Sequence, residues 1–191
     1  MSRYVDYRPP SPSGAPVGRC IVLPGRQYTP DGPLLFFAAQ AALAHGWEVR
    51  QVWWQAEARE TADDVDEIAW VGDQLRAAIA DSDGRVLVVA KSLGTLAAPT
   101  AAELGVEAAW LTPILTDPQI SRALSTYPAA QFTLIGQQDP WLDRSVFDAL
   151  PGRTVLVEGD HILGVPGDVV GMVDAHREFV HAFDDWLSTL A

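Results

Sequence analysis

The sequence predicts an α/β protein, a three-layer sandwich on a mainly parallel sheet of about six strands. Three observations carry that expectation. Short runs rich in Val, Ile and Leu alternate about six times with longer stretches of helical periodicity. No two of these runs are joined by a hairpin signal, so successive strands must be linked by crossovers. The run Val86-Leu87-Val88-Val89-Ala90 is apolar at every position, as a strand covered by helices on both faces must be.

The elements follow in order. Residues 1–16, with Pro9, Pro10, Pro12 and Pro16, read as an extended arm whose start Tyr4, Val5 and Tyr7 could pin to the body. Residues 17–191 read as one domain. Arg19–Leu23 is a strand ended by Pro24-Gly25, Leu34–His45 a helix closed by Gly46, and Trp47–Trp54 the next strand. Thr61 and Asp64 suggest a capping box opening a helix marked by Val65, Ile68, Ala69, Leu75 and Ile79. After the strand Val86–Ala90 a helical stretch runs to about Leu104, and Pro99 inside it should kink or shorten the helix. Glu107–Leu111, Gln131–Ile135 and Arg153–Val157 are strands. Pro118–Tyr127 and Trp141–Leu150 are helices. The last helix spans about Asp168 to Leu190, with Val169, Val173, His176, Val180, Phe183, Leu187 and Leu190 on its apolar stripe.

With 191 residues, the chain suits a single core. Its 13 basic against 25 acidic side chains give a net charge of −12, with no basic cluster. That argues against nucleic acid and against an anionic membrane surface as partners. No apolar run is long enough to span a bilayer, and the first residues lack the apolar core of a secretory signal. The single cysteine, Cys20, fits a core position and a reducing, cytoplasmic setting. The oligomeric state is not readable from the chain.

In parallel sheets ligands bind beyond the carboxyl ends of the strands, so chemistry is sought in the segments that follow them. Ser92 follows the third strand in Ala90-Lys91-Ser92-Leu93-Gly94, between a buried strand and a helix. Asp139 follows the fifth in Gly136-Gln137-Gln138-Asp139, with Asp117 and Asp143 as rival acids. His161 follows the sixth in Gly159-Asp160-His161. Of four histidines it alone sits in a strand-end loop: His45 closes a helix, His176 lies on an apolar stripe, and His181 faces solvent. No histidine pair has metal-ligand spacing with a third ligand, so neither a metal nor a cofactor is expected. Lys91 invites a serine–lysine mechanism, but neighbouring side chains on a strand point to opposite faces.

These motifs, in the chain order Ser, Asp, His, resemble a small, cap-less α/β-hydrolase of the carboxylesterase or thioesterase kind, over roughly residues 18–191. The turn Leu23-Pro24-Gly25-Arg26 is similar to that family's oxyanion turn, with Pro24 in place of its usual histidine and Ala90 in place of the first elbow glycine. The resemblance implies a serine hydrolase acting on a small-molecule ester or thioester without a lid. Ser92 would be the nucleophile, His161 the general base and acid, and Asp139 the group that orients the imidazole. The backbone N–H groups of Arg26 and Leu93 would form the oxyanion hole. Tyr28, Trp110 and Trp141 are candidates to line the pocket. Two other functions fit the same residues: an impaired, binding-only relative, and an acyltransferase using the same triad.

Overall fold

The computed structural model describes residues 2–8, 15–54 and 66–190. Seven strands, β1 Arg3–Tyr7, β2 Arg19–Leu23, β3 Glu48–Trp53, β4 Val86–Lys91, β5 Glu107–Leu111, β6 Gln131–Gly136 and β7 Arg153–Val157, form one sheet in the order β1-β3-β2-β4-β5-β6-β7. All pair in parallel except β1, which runs antiparallel to β3. The sheet therefore has one strand more than expected. Part of the stretch read as an arm is an edge strand, tied down where Arg50 donates from Nε to Asp6 Oδ1 at 2.7 Å and stacks over Tyr4.

The helices are α1 Pro33–Ala44, α2 Glu67–Ile79, α3 Ala98–Leu104, α4 Pro118–Ser125, α5 Arg144–Ala149 and α6 Val169–Ser188. Alternation along each strand sorts the core into two layers. Cys20, Val22, Leu87, Val89, Leu111, Phe132 and Leu134 pack against α1 and α6, and Phe132 sits among Phe179, Phe183 and Trp186. Ile21, Leu23, Val88, Ala90, Ala108 and Trp110 pack against α2 to α5. Each fully buried Leu, Ile or Phe contributes about 1.5–3 kcal/mol of transfer free energy, so both layers hold the helices against the sheet. Cys20 is fully buried, and burial pushes its thiol pKa up, as a core residue requires.

Most boundaries agree with the sequence to within a residue or two, with informative exceptions. Thr61, Asp64 and Val65 lie outside the described residues. The helix that follows them starts at Glu67, where Asp66 caps it by accepting from the Ala69 N–H. The fifth helix starts at Arg144, not Trp141, because Asp143 caps it through the N–H groups of Ser145 and Val146. On α6 the buried face begins only at Ala175, and Val169 and Val173, expected on its apolar stripe, are exposed. Among the described residues no helix is long and apolar enough to cross a membrane.

The chain order reverses between β2 and β4. From β2 it passes through α1 to β3 on one side, then returns across β2 to β4 on the other. At such a switch point the loops diverge and leave a crevice at the carboxyl ends of the strands. Here the segments beside it begin at Pro24 and Ser92.

Candidate active site

At the end of β4 the backbone changes hand. Ser92 has φ +53°, a left-handed conformation that a non-glycine residue occupies at a cost of order 1–3 kcal/mol. Small neighbours make the turn feasible. Ala90 is fully buried, so one methyl group fits where the resemblance would have a glycine. A Cβ on Gly94 would lie 2.5 Å from the Leu23 carbonyl oxygen, so only glycine lets this turn pack against the end of β2. A 3₁₀ turn, Ser92–Ala97, follows and runs into α3. Pro99 falls in the first turn of α3, where its missing N–H leaves no intrahelical bond unmade. Of the two outcomes expected, a kink or a shorter helix, the structure shows the second: α3 is seven residues long and begins one residue before Pro99.

The elbow holds Ser92 against the histidine. Ser92 Oγ and His161 Nε2 are 2.7 Å apart, and His161 Nδ1 and Asp139 Oδ2 are 2.8 Å apart. Because an ionised carboxylate can only accept, Nδ1–H donates to Asp139, and Nε2 is left to accept from the serine hydroxyl. The side chain of Asp139 is fully buried, and its other oxygen accepts from the Trp141 N–H at 2.9 Å. The two loops carrying Asp139 and His161 are fastened together. Gln138 N–H donates to the Gly159 carbonyl at 2.9 Å, and Gly159 N–H donates to Gln138 Oε1 at 2.7 Å. A Cβ on Gly136 would lie 2.2 Å from the Gly159 carbonyl oxygen, so this strand end is glycine for want of room.

The rival groups have other work. Asp117 caps α4 through the N–H groups of Gln119 and Ile120, and Asp143 caps α5. Asp160 accepts from the N–H groups of Ile162 and Gly164 and so shapes the loop that carries His161. His45 pairs with Asp184, His176 donates from Nδ1–H to the Met172 carbonyl within the core, and His181 is exposed.

Around Ser92 and His161 is a cavity of about 660 Å³ bordered by Gly25, Arg26, Tyr28, Lys91, Leu93 and Trp141. Another depression of similar volume, along β7 and α6, lies away from the carboxyl edge of the sheet and holds none of these groups. Arg26 and Leu93 both face the cavity, and the Arg26 N–H has no hydrogen-bond partner among the described residues. Gly25 brings its turn against Ser92: a Cβ there would sit 3.3 Å from Ser92 Cβ. Tyr28 and Trp141 line the cavity as expected, whereas Trp110 is wholly in the core. The Tyr28 hydroxyl accepts from the Leu34 N–H at 2.9 Å, and burial pushes its pKa up to about 12.

Lys91 was set aside on the two-residue period of a strand, and there the structure corrects the reading. Ser92 is not on the strand but on the left-handed elbow, so both side chains border one cavity. Lys91 is 2 % exposed and is the only lysine in the chain, the other twelve cationic side chains being arginines. Its ammonium lies 4.7 Å from the centre of the Tyr28 ring. Desolvation lowers its pKa to about 8, against the pull of Asp139 and Asp160. That this lone lysine closes an otherwise apolar strand was the signal available in the sequence.

The chain matches no family model and no curated protein. Solved structures do match. An α/β serine hydrolase homologue from Coxiella burnetii superposes with a TM-score of 0.72 at 12% identity, over 100% of this chain and 92% of that one. A lidless α/β serine hydrolase from Xanthomonas campestris gives 0.68 at 15% identity, over 99% and 89%. The esterase Est1E from Butyrivibrio proteoclasticus, whose structure is also known with ferulic acid bound, gives 0.72 at 11% identity, over 98% and 93%. At such identities the likeness is one of fold. The chain has the α/β-hydrolase fold in a small, cap-less form.

Proposed function

We propose that the chain is a serine hydrolase that cleaves small-molecule esters or thioesters through an acyl-enzyme on Ser92. One observation carries the reading: the unbroken hydrogen-bond chain from Ser92 Oγ through His161 to Asp139, opening on a cavity. As Oγ attacks the carbonyl carbon, its proton passes to His161 Nε2, and the buried Asp139 stabilises the imidazolium so formed. The oxyanion of the tetrahedral intermediate is met by the N–H groups of Leu93 and Arg26, each such donor typically worth about 3–4 kcal/mol. Collapse expels the alcohol or thiol, which takes the proton back from His161. Water, deprotonated by the same histidine, then releases the carboxylic acid. The single buried cysteine suits action in a reducing cytoplasm.

Labelling by a fluorophosphonate probe tests the proposal. Wild type should react and Ser92→Ala should not. Labelling that survives Ser92→Ala would overturn the assignment of the nucleophile, and no labelling of wild type would favour a binding protein. Release of the acyl group to an added alcohol in preference to water would mark an acyltransferase.

A further inference from the structure

The mechanism above has no use for Lys91, yet the fold places this cation beside the nucleophile. Its residue is almost entirely buried, it borders the Ser92 cavity, and among the described residues it makes no ion pair. The other cation of the cavity, Arg26, is already neutralised by a salt bridge to Glu67. The nearby carboxylates of Asp139 and Asp160 act on it only at a distance, each engaged by other donors, so this buried ammonium has an aromatic face and no carboxylate in contact with it.

Resting on the reading that Ser92 attacks an ester, we propose that Lys91 is the specificity determinant of the cavity and takes the carboxylate of an acidic substrate, an ester that carries a free acid group. The substrate supplies the contacting carboxylate, and the Tyr28 ring holds the amine in place before it arrives. The chain's net charge of −12 would otherwise disfavour an anion, so the attraction is local to this cavity. The acid could stand on the acyl or on the alcohol side of the ester, and the chemistry of recognition is the same.

The groups that set the charge of Lys91 are Tyr28 from the loop after β2, Asp139 after β6, and Asp160 after β7, with His161 and the Arg26–Glu67 pair on the cavity wall. Because desolvation places the amine's pKa at about 8, the cation is present at neutral pH and is lost as pH rises through that value. Preference for an acid should be lost with it.

The test is a ratio of two kcat/KM values on one enzyme preparation, which cancels the titration of the serine machinery and any loss of folded protein. On the acyl side the pair is the p-nitrophenyl half-ester of hexanedioic acid and its methyl-capped diester. On the alcohol side it is the butyryl ester of 4-hydroxybenzoate and of its methyl ester. Wild type should favour the acid of one pair by about ten- to a hundredfold at pH 7, the scale of a charge-assisted hydrogen bond. The preference should fall away above about pH 8, and Lys91→Met should remove it at every pH. Equal rates on both members of both pairs, or a preference that Lys91→Met retains, would overturn the proposal while leaving the hydrolase reading intact. If no ester is turned over, the hydrolase reading fails, and calorimetry with hexanedioate and 4-hydroxybenzoate decides the anion site. Binding by wild type and not by Lys91→Met supports the site, and no binding by wild type overturns it.

Discussion

Replacing Lys91 by methionine, of similar length and without charge, should stabilise the protein at neutral pH. Lowering the amine's pKa from 10.5 to about 8 means that below pH 8 the folded chain holds this proton less favourably than the unfolded chain by about 3 kcal/mol. The sign follows from proton counts. Between pH 8 and 10.5 the unfolded chain binds more protons, so wild-type stability rises with pH across that window, and the penalty is full below it. Loss of the contact with Tyr28 offsets about 1 kcal/mol. Lys91→Met should therefore gain about 2 kcal/mol at pH 7, or about 4–8 °C in Tm for a chain of this size. The gain should disappear near pH 10.5. Urea unfolding of both proteins at the two pH values measures it, and because Lys91 is the only lysine, a chain labelled with [13Cε]lysine reports its titration as a single NMR signal. Lys91→Met no more stable than wild type at pH 7, or an equal gain at both pH values, would refute the reasoning.

Other perturbations have equally definite outcomes. Asp139→Asn should leave the fold intact and lower kcat by about 10⁴, since an amide at Nδ1 no longer fixes the tautomer; stopped-flow hydrolysis of a p-nitrophenyl ester measures it. Gly136→Ala puts a methyl group 2.2 Å from the Gly159 carbonyl, which should cost about 1–3 kcal/mol by denaturant titration and lower kcat as the Asp139 and His161 loops part. Thr112 is fully buried with φ +47° and a hydroxyl that has no hydrogen-bond partner among the described residues, so Thr112→Gly should raise stability by about 1–2 kcal/mol in the same titration.

The layer order and the site loops were legible because both depend on local patterns. A parallel strand buried on two faces announces itself by composition, and its carboxyl end then says where to look. Ser92, Asp139 and His161 were found that way and lie within hydrogen-bond distance in sequence along that edge. Strand β1 was not legible, because an edge strand exposed on most positions has no apolar pattern and exists through pairing with β3, over 40 residues away. The start of α5 is not legible because what delays it is the local pairing of the Trp141 backbone. Its N–H serves Asp139, and Asp143 opens the helix two residues later. Lys91 was misjudged for a reason of geometry: side-chain alternation holds only while the backbone stays extended, and it ends at Ser92.

Where the chain tolerates strain is itself evidence about the site. Positive φ is met by glycine at Gly46, Gly105, Gly152, Gly159 and Gly167. Among the described residues the non-glycine exceptions are Ser92, Thr112 and Leu163. These follow β4, β5 and β7, so all three lie at the carboxyl edge of the sheet, and Leu163 lies in the loop that carries His161. The buried cation Lys91 is on the same edge. Each feature opposes stability by about 1–3 kcal/mol, against a net folding free energy of order 5–15 kcal/mol, and none is required by the sheet or its helices. Unfavourable conformations spread at random would fall on both ends of the strands. Their confinement to one end puts this strain beside Ser92, His161 and Lys91, where the proposed chemistry would exchange stability for positioning.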